Sequence, residues 1–334
     1  KRHWIHPEQT NMNEKIKNLA KNIIATLIIL GLAHYLWKHW DIFCGALDVS
    51  LSHILGLVSC ILLTWVVNAY QVLLLLRKLG VKVGFWENMV ILIATTLGNY
   101  LPMRIGTLAR MRYFKKVHGL QYMKFGGIIG VRVFILVAST GLLGCIGTIG
   151  LKVSGFQPNV ALLCIFISMV VVSLGACLLP VPTMEKSKNT VLKSWSDLVS
   201  AFKIIQSQPI LLCQVLGLIM MQFLVLAIRL SITFDAIQVE LSPWVLLILA
   251  PMTTLISFLS LTPGSLGLRE WAIGVISFAS GVDFHNGIFA GTLDRAILMA
   301  VTFIFGSGSL AYVWYRIETA VSKVKGQSGT SAAL

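Results

Sequence analysis

Five arginines fall where the chain is otherwise apolar or turns sharply: Arg104, Arg110, Arg132, Arg269 and Arg295. A charged side chain at the centre of a bilayer costs at least about 2.5 kcal/mol on insertion scales, so each needs a partner or a task. The planar guanidinium fork matches two oxygens of one phosphate or carboxylate. Two acids are adjacent in sequence, Glu270 after Arg269 and Asp294 before Arg295. The set suits the binding of an anionic group, with Glu270 balancing charge, orienting an arginine or accepting a proton. A structural ion pair competes with that reading, Arg295 with Asp294 or Glu270 being the obvious one. Arg229, near a helix end, is expected to snorkel outward. Arg110, Arg112, Lys115 and Lys116 would also suit anionic headgroups in the inner leaflet.

Two broken segments must position these side chains. Asn99–Lys116 reads NYLPMRIGTLARMRYFKK and follows an apolar run, Met89 to Leu97, too short to cross a hydrocarbon core that needs roughly 20 residues. Pro102 ends that run, because it cannot continue the helical hydrogen-bond ladder, and Gly106 follows. The pattern recurs at Leu261–Ala272, LTPGSLGLREWA, where Pro263 and Gly267 repeat the spacing of Pro102 and Gly106, with Gly264 between them. Each break predicts a re-entrant hairpin, since bare backbone at membrane depth survives only where protein or a watery cavity covers it. After each break a half-helix starts, offering free N–H groups to an anion. Two broken hydrophobic segments at corresponding positions of two halves point to a transporter site.

With 334 residues, 56% hydrophobic and 12% charged, and a mean hydropathy of +0.82, the chain reads as an integral membrane protein. The net charge of +14 does not imply nucleic acid, because the basic residues fall between apolar spans. The six cysteines show no metal-like pairing and read as small core residues.

Six spans are expected: Leu19–Trp37, Ser52–Leu76, Met123–Gly150, Asn159–Leu179, Pro209–Phe234 and Gly287–Tyr315. The hairpins run from about Trp86 to Lys116 and from about Pro243 to Gly281. The segment 185–208 has the helical apolar spacing of an amphipathic surface helix. A polar stretch 1–18 precedes the membrane domain 19–316, and 317–334 is expected to be a polar tail, disordered over Gly326–Leu334. With the N-terminus inside, 20 Lys and Arg lie on the cytoplasmic side and three outside, which favours N-in and C-in. Three spans plus a hairpin per half then make two inverted repeats, 19–150 and 156–316, in an all-α polytopic fold of the plasma (inner) membrane.

Enzyme signatures such as HExxH, CxxC, GxSxG or a Walker loop are missing from the sequence, and the expectation is no catalysis, metal or cofactor. The pattern LPxxxGxLAR with a basic run, followed by TPGxxGxRE, resembles the transmembrane domain of lysylphosphatidylglycerol synthases/flippases and its stand-alone relatives, over roughly Ser52 to Tyr315. The resemblance implies transfer of charged-headgroup lipids between leaflets, with Pro102, Gly106, Arg110, Pro263, Gly264, Gly267 and Glu270 at the matching positions. The family's soluble aminoacyl-transfer domain has no counterpart in this sequence, so lipid synthesis is not expected of this chain. Stand-alone relatives are associated with other lipids too, including polyprenyl-linked sugars.

The expectation is a lipid translocase that takes a phosphate-bearing headgroup through a polar cavity, with Arg104, Arg110, Arg132, Arg269 and Arg295 neutralising phosphate. A small-solute or ion-coupled secondary transporter is the alternative, and a membrane-embedded glycolipid-modifying enzyme a third. The expected partners are such a lipid and the bilayer, with no nucleic acid; the oligomeric state stays open.

Overall fold

The computed structural model describes residues 49–100, 105–156, 160–178, 190–259, 265 and 267–330. Pro102, Arg104, Pro263, Gly264 and the expected first span, Leu19–Trp37, lie outside the described residues. The rest folds as helices: α1 (Leu51–Lys78), α2 (Phe85–Gly98), α3 (Ile105–His118), α4 (Tyr122–Val153), α5 (Val160–Leu178), α6 (Thr190–Gln206), α7 (Pro209–Ala236), α8 (Pro243–Leu259), α9 (Leu268–Ala279) and α10 (Phe284–Thr330). Four of these are long and apolar enough to cross a membrane: α1, α4, α7 and the Phe284–Thr319 part of α10. The protein is an all-α, multi-pass membrane protein. The helix at the expected fourth span, α5, belongs with the shorter apolar helices, as do α2 and α8.

α2 and α3 form an antiparallel hairpin. Each has 14 residues, about 21 Å of helix, short of the roughly 30 Å hydrocarbon core. At the tip, a Cβ on Gly98 would lie 2.6 Å from the Gly106 Cα, so the two glycines let the backbones touch. The Asn99 side chain caps α3 there, its Oδ1 accepting from Thr107 N at 3.0 Å. At the base, the Glu87 carboxylate accepts from Tyr113 Oη at 2.6 Å and lies 3.0 Å from His118 Nε2 and 3.6 Å from Arg316 Nη2. Burial alone would raise the Glu87 pKa; the bonds from Tyr113 and His118 and the nearby cations outweigh it and hold the carboxyl below its ordinary range.

α8 and α9 form the second hairpin. Its tip is held by Ser265, whose Oγ donates to Ser257 O at 2.9 Å, and α9 starts at Gly267, with φ +82°. Gly267 N donates to Glu270 Oε2 at 2.8 Å, so the glutamate satisfies the free N–H at the start of α9. The two hairpins have their bases at opposite ends of α10. Glu87 meets Arg316 near the C-terminal end, whereas a Cβ on Gly287, at the N-terminal end, would press on Ser277 of α9.

Small residues set the remaining packing, as expected where lipid removes the hydrophobic drive between helices. Along α4, Gly127 faces Ala201 of α6, Gly141 and Gly144 face Phe166 of α5, and Gly147 and Gly150 face Ile248 and Trp244 of α8. α6 lays Val199, Ala201, Phe202 and Ile205 inward, the face its apolar spacing predicts. α2 packs on α10, and α8 packs on α4. α1 and α7 pack together and share a bond from Gln71 Nε2 to Gln222 Oε1 at 3.0 Å. α10 continues through Thr330, past the expected end of the sixth span at Tyr315, with no proline to interrupt its ladder.

Candidate functional site

A cavity of about 380 Å³ lies between the two hairpins, lined by residues of both. Hairpin one contributes Thr95, Thr96, Asn99, Tyr100, Thr107 and Arg110; hairpin two contributes Thr254, Ser257, Phe258 and Ser265. Asn68 and Val72 of α1, Phe125, Ile128, Ile129 and Arg132 of α4, and Arg295 and Leu298 of α10 complete the wall together with Leu92. Among the described residues, three that line it are arginines and none is acidic.

Arg110 is buried, 6% exposed, one turn into α3 from the tip. Its Nη2 donates to Asn88 Oδ1 at 3.1 Å, and Asn88 Nδ2 donates to Ala69 O at 2.6 Å. The guanidinium lies 5.9 Å from the Phe114 ring centroid and 5.8 Å from that of Phe125. Arg132, in the middle of α4's first half, has no hydrogen-bond or ion-pair partner among the described residues, and it lies close enough to Arg110 to act on its charge. The Nε of each arginine is buried without an acceptor. Keeping charged donors out of water unpaired is costly, so the pair constitutes a standing attraction for an anion. Arg295 sits with its guanidinium 5.1 Å from the Tyr100 ring centroid and lines the same cavity.

Other expected site residues lie elsewhere. Arg269 is buried behind the tip of hairpin two and ends 2.7 Å from Asp294 Oδ2; it does not line the cavity. Asp294 also receives Arg229, whose Nε is 2.7 Å from Oδ1 and whose Nη2 donates to Oδ2 at 3.1 Å. Two expectations are corrected here. Arg229 does not snorkel outward; it is 4% exposed and fastened to Asp294. Asp294 pairs with Arg229 and Arg269, not with Arg295, because consecutive residues on a helix point in different directions. Glu270 is spent on its own helix start through Gly267 N, its Oε1 buried without a hydrogen bond. Gly106 and Gly267 act in the hairpins, at the tip contact and at the cap.

Sequence reasoning missed Asn88, the amide that holds Arg110, and the neutral hydroxyl and amide rim of the cavity. A carboxamide inside an otherwise apolar run, 22 residues before an arginine, is the one signal that pointed to Asn88. Among the described residues no group of three His, Cys, Asp or Glu could hold a metal ion.

A search of curated proteins finds no match to the chain. The family profile described as the lysylphosphatidylglycerol synthase TM region does match, over residues 22–306, which takes in both hairpins and every wall of the cavity. With that match covering most of its length, the chain belongs to the lysylphosphatidylglycerol synthase transmembrane-region family.

Proposed function

We propose that this protein moves a lipid with a phosphate-bearing headgroup between the leaflets of the plasma (inner) membrane, its termini on the cytoplasmic side. One observation carries the reading: Arg110 and Arg132 border a cavity between the two hairpins with no carboxylate among the described residues to neutralise them. A phosphate would supply the missing charge while the acyl or prenyl tails stay in the bilayer. Both hairpins are read as re-entrant, each arm being too short to cross. Inverted repeats, α1 to α4 against α7 to α10 and each preceded by one further span, are supported by the reciprocal packing of α2 on α10 and of α8 on α4. Without a nucleotide-binding motif, transport would run downhill or with an ion gradient, and the chain would catalyse no reaction.

The cavity's modest volume favours a second reading, uptake of a small soluble anion by an ion-coupled transporter. Proteoliposomes separate the two. Headgroup-labelled lipid should become accessible to an impermeant quencher in vesicles carrying the parent protein and not in those carrying Arg132→Gln. Anion uptake that depends on Arg132, with lipid exchange at the protein-free rate, would replace the lipid reading.

A further inference from the structure

The charge inventory of the cavity bears on which headgroup enters it. Arg110 and Arg132 contribute two guanidinium groups without a carboxylate partner. Arg295 is set aside, because its guanidinium lies against the Tyr100 ring. The remaining polar wall is hydroxyl and carboxamide, including the unpaired Asn68 Oδ1, which can accept a hydrogen bond but supplies no charge. The sequence at the two tips adds no acid and one further arginine, Arg104: 101–104 reads LPMR and 260–264 reads SLTPG. Among the described residues, Asp294 is engaged between Arg229 and Arg269, Glu270 on Gly267 N, and Glu87 with Tyr113 and His118.

A singly charged phosphodiester would leave one of the two arginines uncompensated in a site of low dielectric, where an unpaired charge is expensive. A headgroup carrying an ammonium would bring a cation into a wall that already holds cations. A lysylated headgroup would bring two.

We infer that the cavity selects a phosphate dianion, a lipid phosphomonoester or diphosphate, and rejects lysylated and zwitterionic headgroups. This rests on the lipid-transport reading only for the tails; the charge preference belongs to the cavity itself.

The test uses the full chain in nanodiscs containing equal amounts of phosphatidic acid, phosphatidylglycerol and lysylphosphatidylglycerol, with retained lipid identified by native mass spectrometry. Phosphatidic acid should be retained about tenfold over phosphatidylglycerol, corresponding to about 1.4 kcal/mol, with lysylphosphatidylglycerol at background. In Arg132→Gln the preference should fall to about twofold or less. Arg132 has no hydrogen-bond or ion-pair partner among the described residues, so this variant should keep its fold, and thermal unfolding checks that it does. Equal retention of the two anionic lipids, or retention of the lysylated one, would overturn the dianion preference and leave lipid transport standing. A preference that survives in folded Arg132→Gln would also overturn it, since bulk headgroup contacts would then account for retention. A parallel arm offers inorganic phosphate to lipid-stripped protein. Capture of phosphate that needs Arg132, with no phosphatidic acid retained, would keep the charge preference and remove the lipid.

Discussion

Asn88 and Arg110 form a buried amide-to-guanidinium contact of 3.1 Å that ties the first arm of hairpin one to the second. Asn88 is itself anchored to the Ala69 carbonyl of α1, so the guanidinium is fixed through two hydrogen bonds to a helix outside the hairpin. A hydrogen bond to a charged group contributes about 1.5–3 kcal/mol. Asn88→Leu, similar in size but unable to bond, should therefore slow lipid exchange in proteoliposomes by about tenfold or more at unchanged membrane insertion. Exchange at the parent rate would mean that the position of Arg110 is set by its aromatic neighbours alone.

The shape of the cation matters as well as its charge. Lys is a poor substitute where one planar fork holds two oxygens. Arg110→Lys and Arg132→Lys should each lower lipid exchange more than Lys115→Ala does, because Lys115 reaches only the Tyr122 ring, 4.2 Å from its centroid. Parent activity in both Lys variants would remove these arginines from the site.

A binding residue without a partner is a burden on the unliganded fold. Arg132→Met should raise the unfolding temperature in detergent by a few degrees while abolishing phosphate-dependent stabilisation, since it removes a half-buried charge with no partner among the described residues. Asp294→Asn should act in the opposite sense. It strands Arg229 and Arg269 together, and breaking a buried pair of this kind costs about 3–5 kcal/mol. Thermal unfolding of the two variants side by side reads both signs.

Glu87 carries a pH dependence whose sign follows from its lowered pKa in the fold. Its contribution is complete above the ordinary glutamate range and is lost as pH falls through the lower, folded value. Glu87→Gln should unfold at a lower temperature than the parent at pH 7, and the gap should close in acid below the folded value. A gap of equal size at both pH values would show that Tyr113 and His118 bond the neutral side chain as well as the carboxylate.

The glycine contact at the tip predicts a contrast within one residue type. Gly106→Ala would push a methyl into the Thr95 carbonyl, whereas a Cβ on Gly130 meets nothing within 4 Å. Gly130→Ala should be neutral or stabilise by up to about 1 kcal/mol through helix propensity. Gly106→Ala should destabilise and disturb lipid exchange, and the ratio of the two exchange rates is the measurement.

What could be read from the sequence was what depends on local grammar. Pro102 with Gly106 and Pro263 with Gly267 marked both hairpins, since a ladder break in an apolar run is visible without tertiary contacts. Arg110, Arg132 and Arg295 stood out because charge in an apolar helix is costly wherever the helix goes. What failed was pairing across distance. Asp294 meets residues 65 and 25 positions away, and helical spacing says nothing about which neighbouring helix presents a guanidinium. Arg269 looked like a site residue and Arg229 like a surface one for the same reason. Spacing also could not show that four of the α4 glycines are seats for Phe166, Trp244 and Ile248.

α10 bears on both hairpins, through Gly306 against Leu97 of α2 and through Gly287 and Gly291 against Gly274 and Glu270 of α9. These contacts are too close to slip independently, so a slide or tilt of α10 is felt at both hairpins together. On the proposed transport reading, a shift of α10 that opens one hairpin would carry the other with it, the shared linkage an airlock needs.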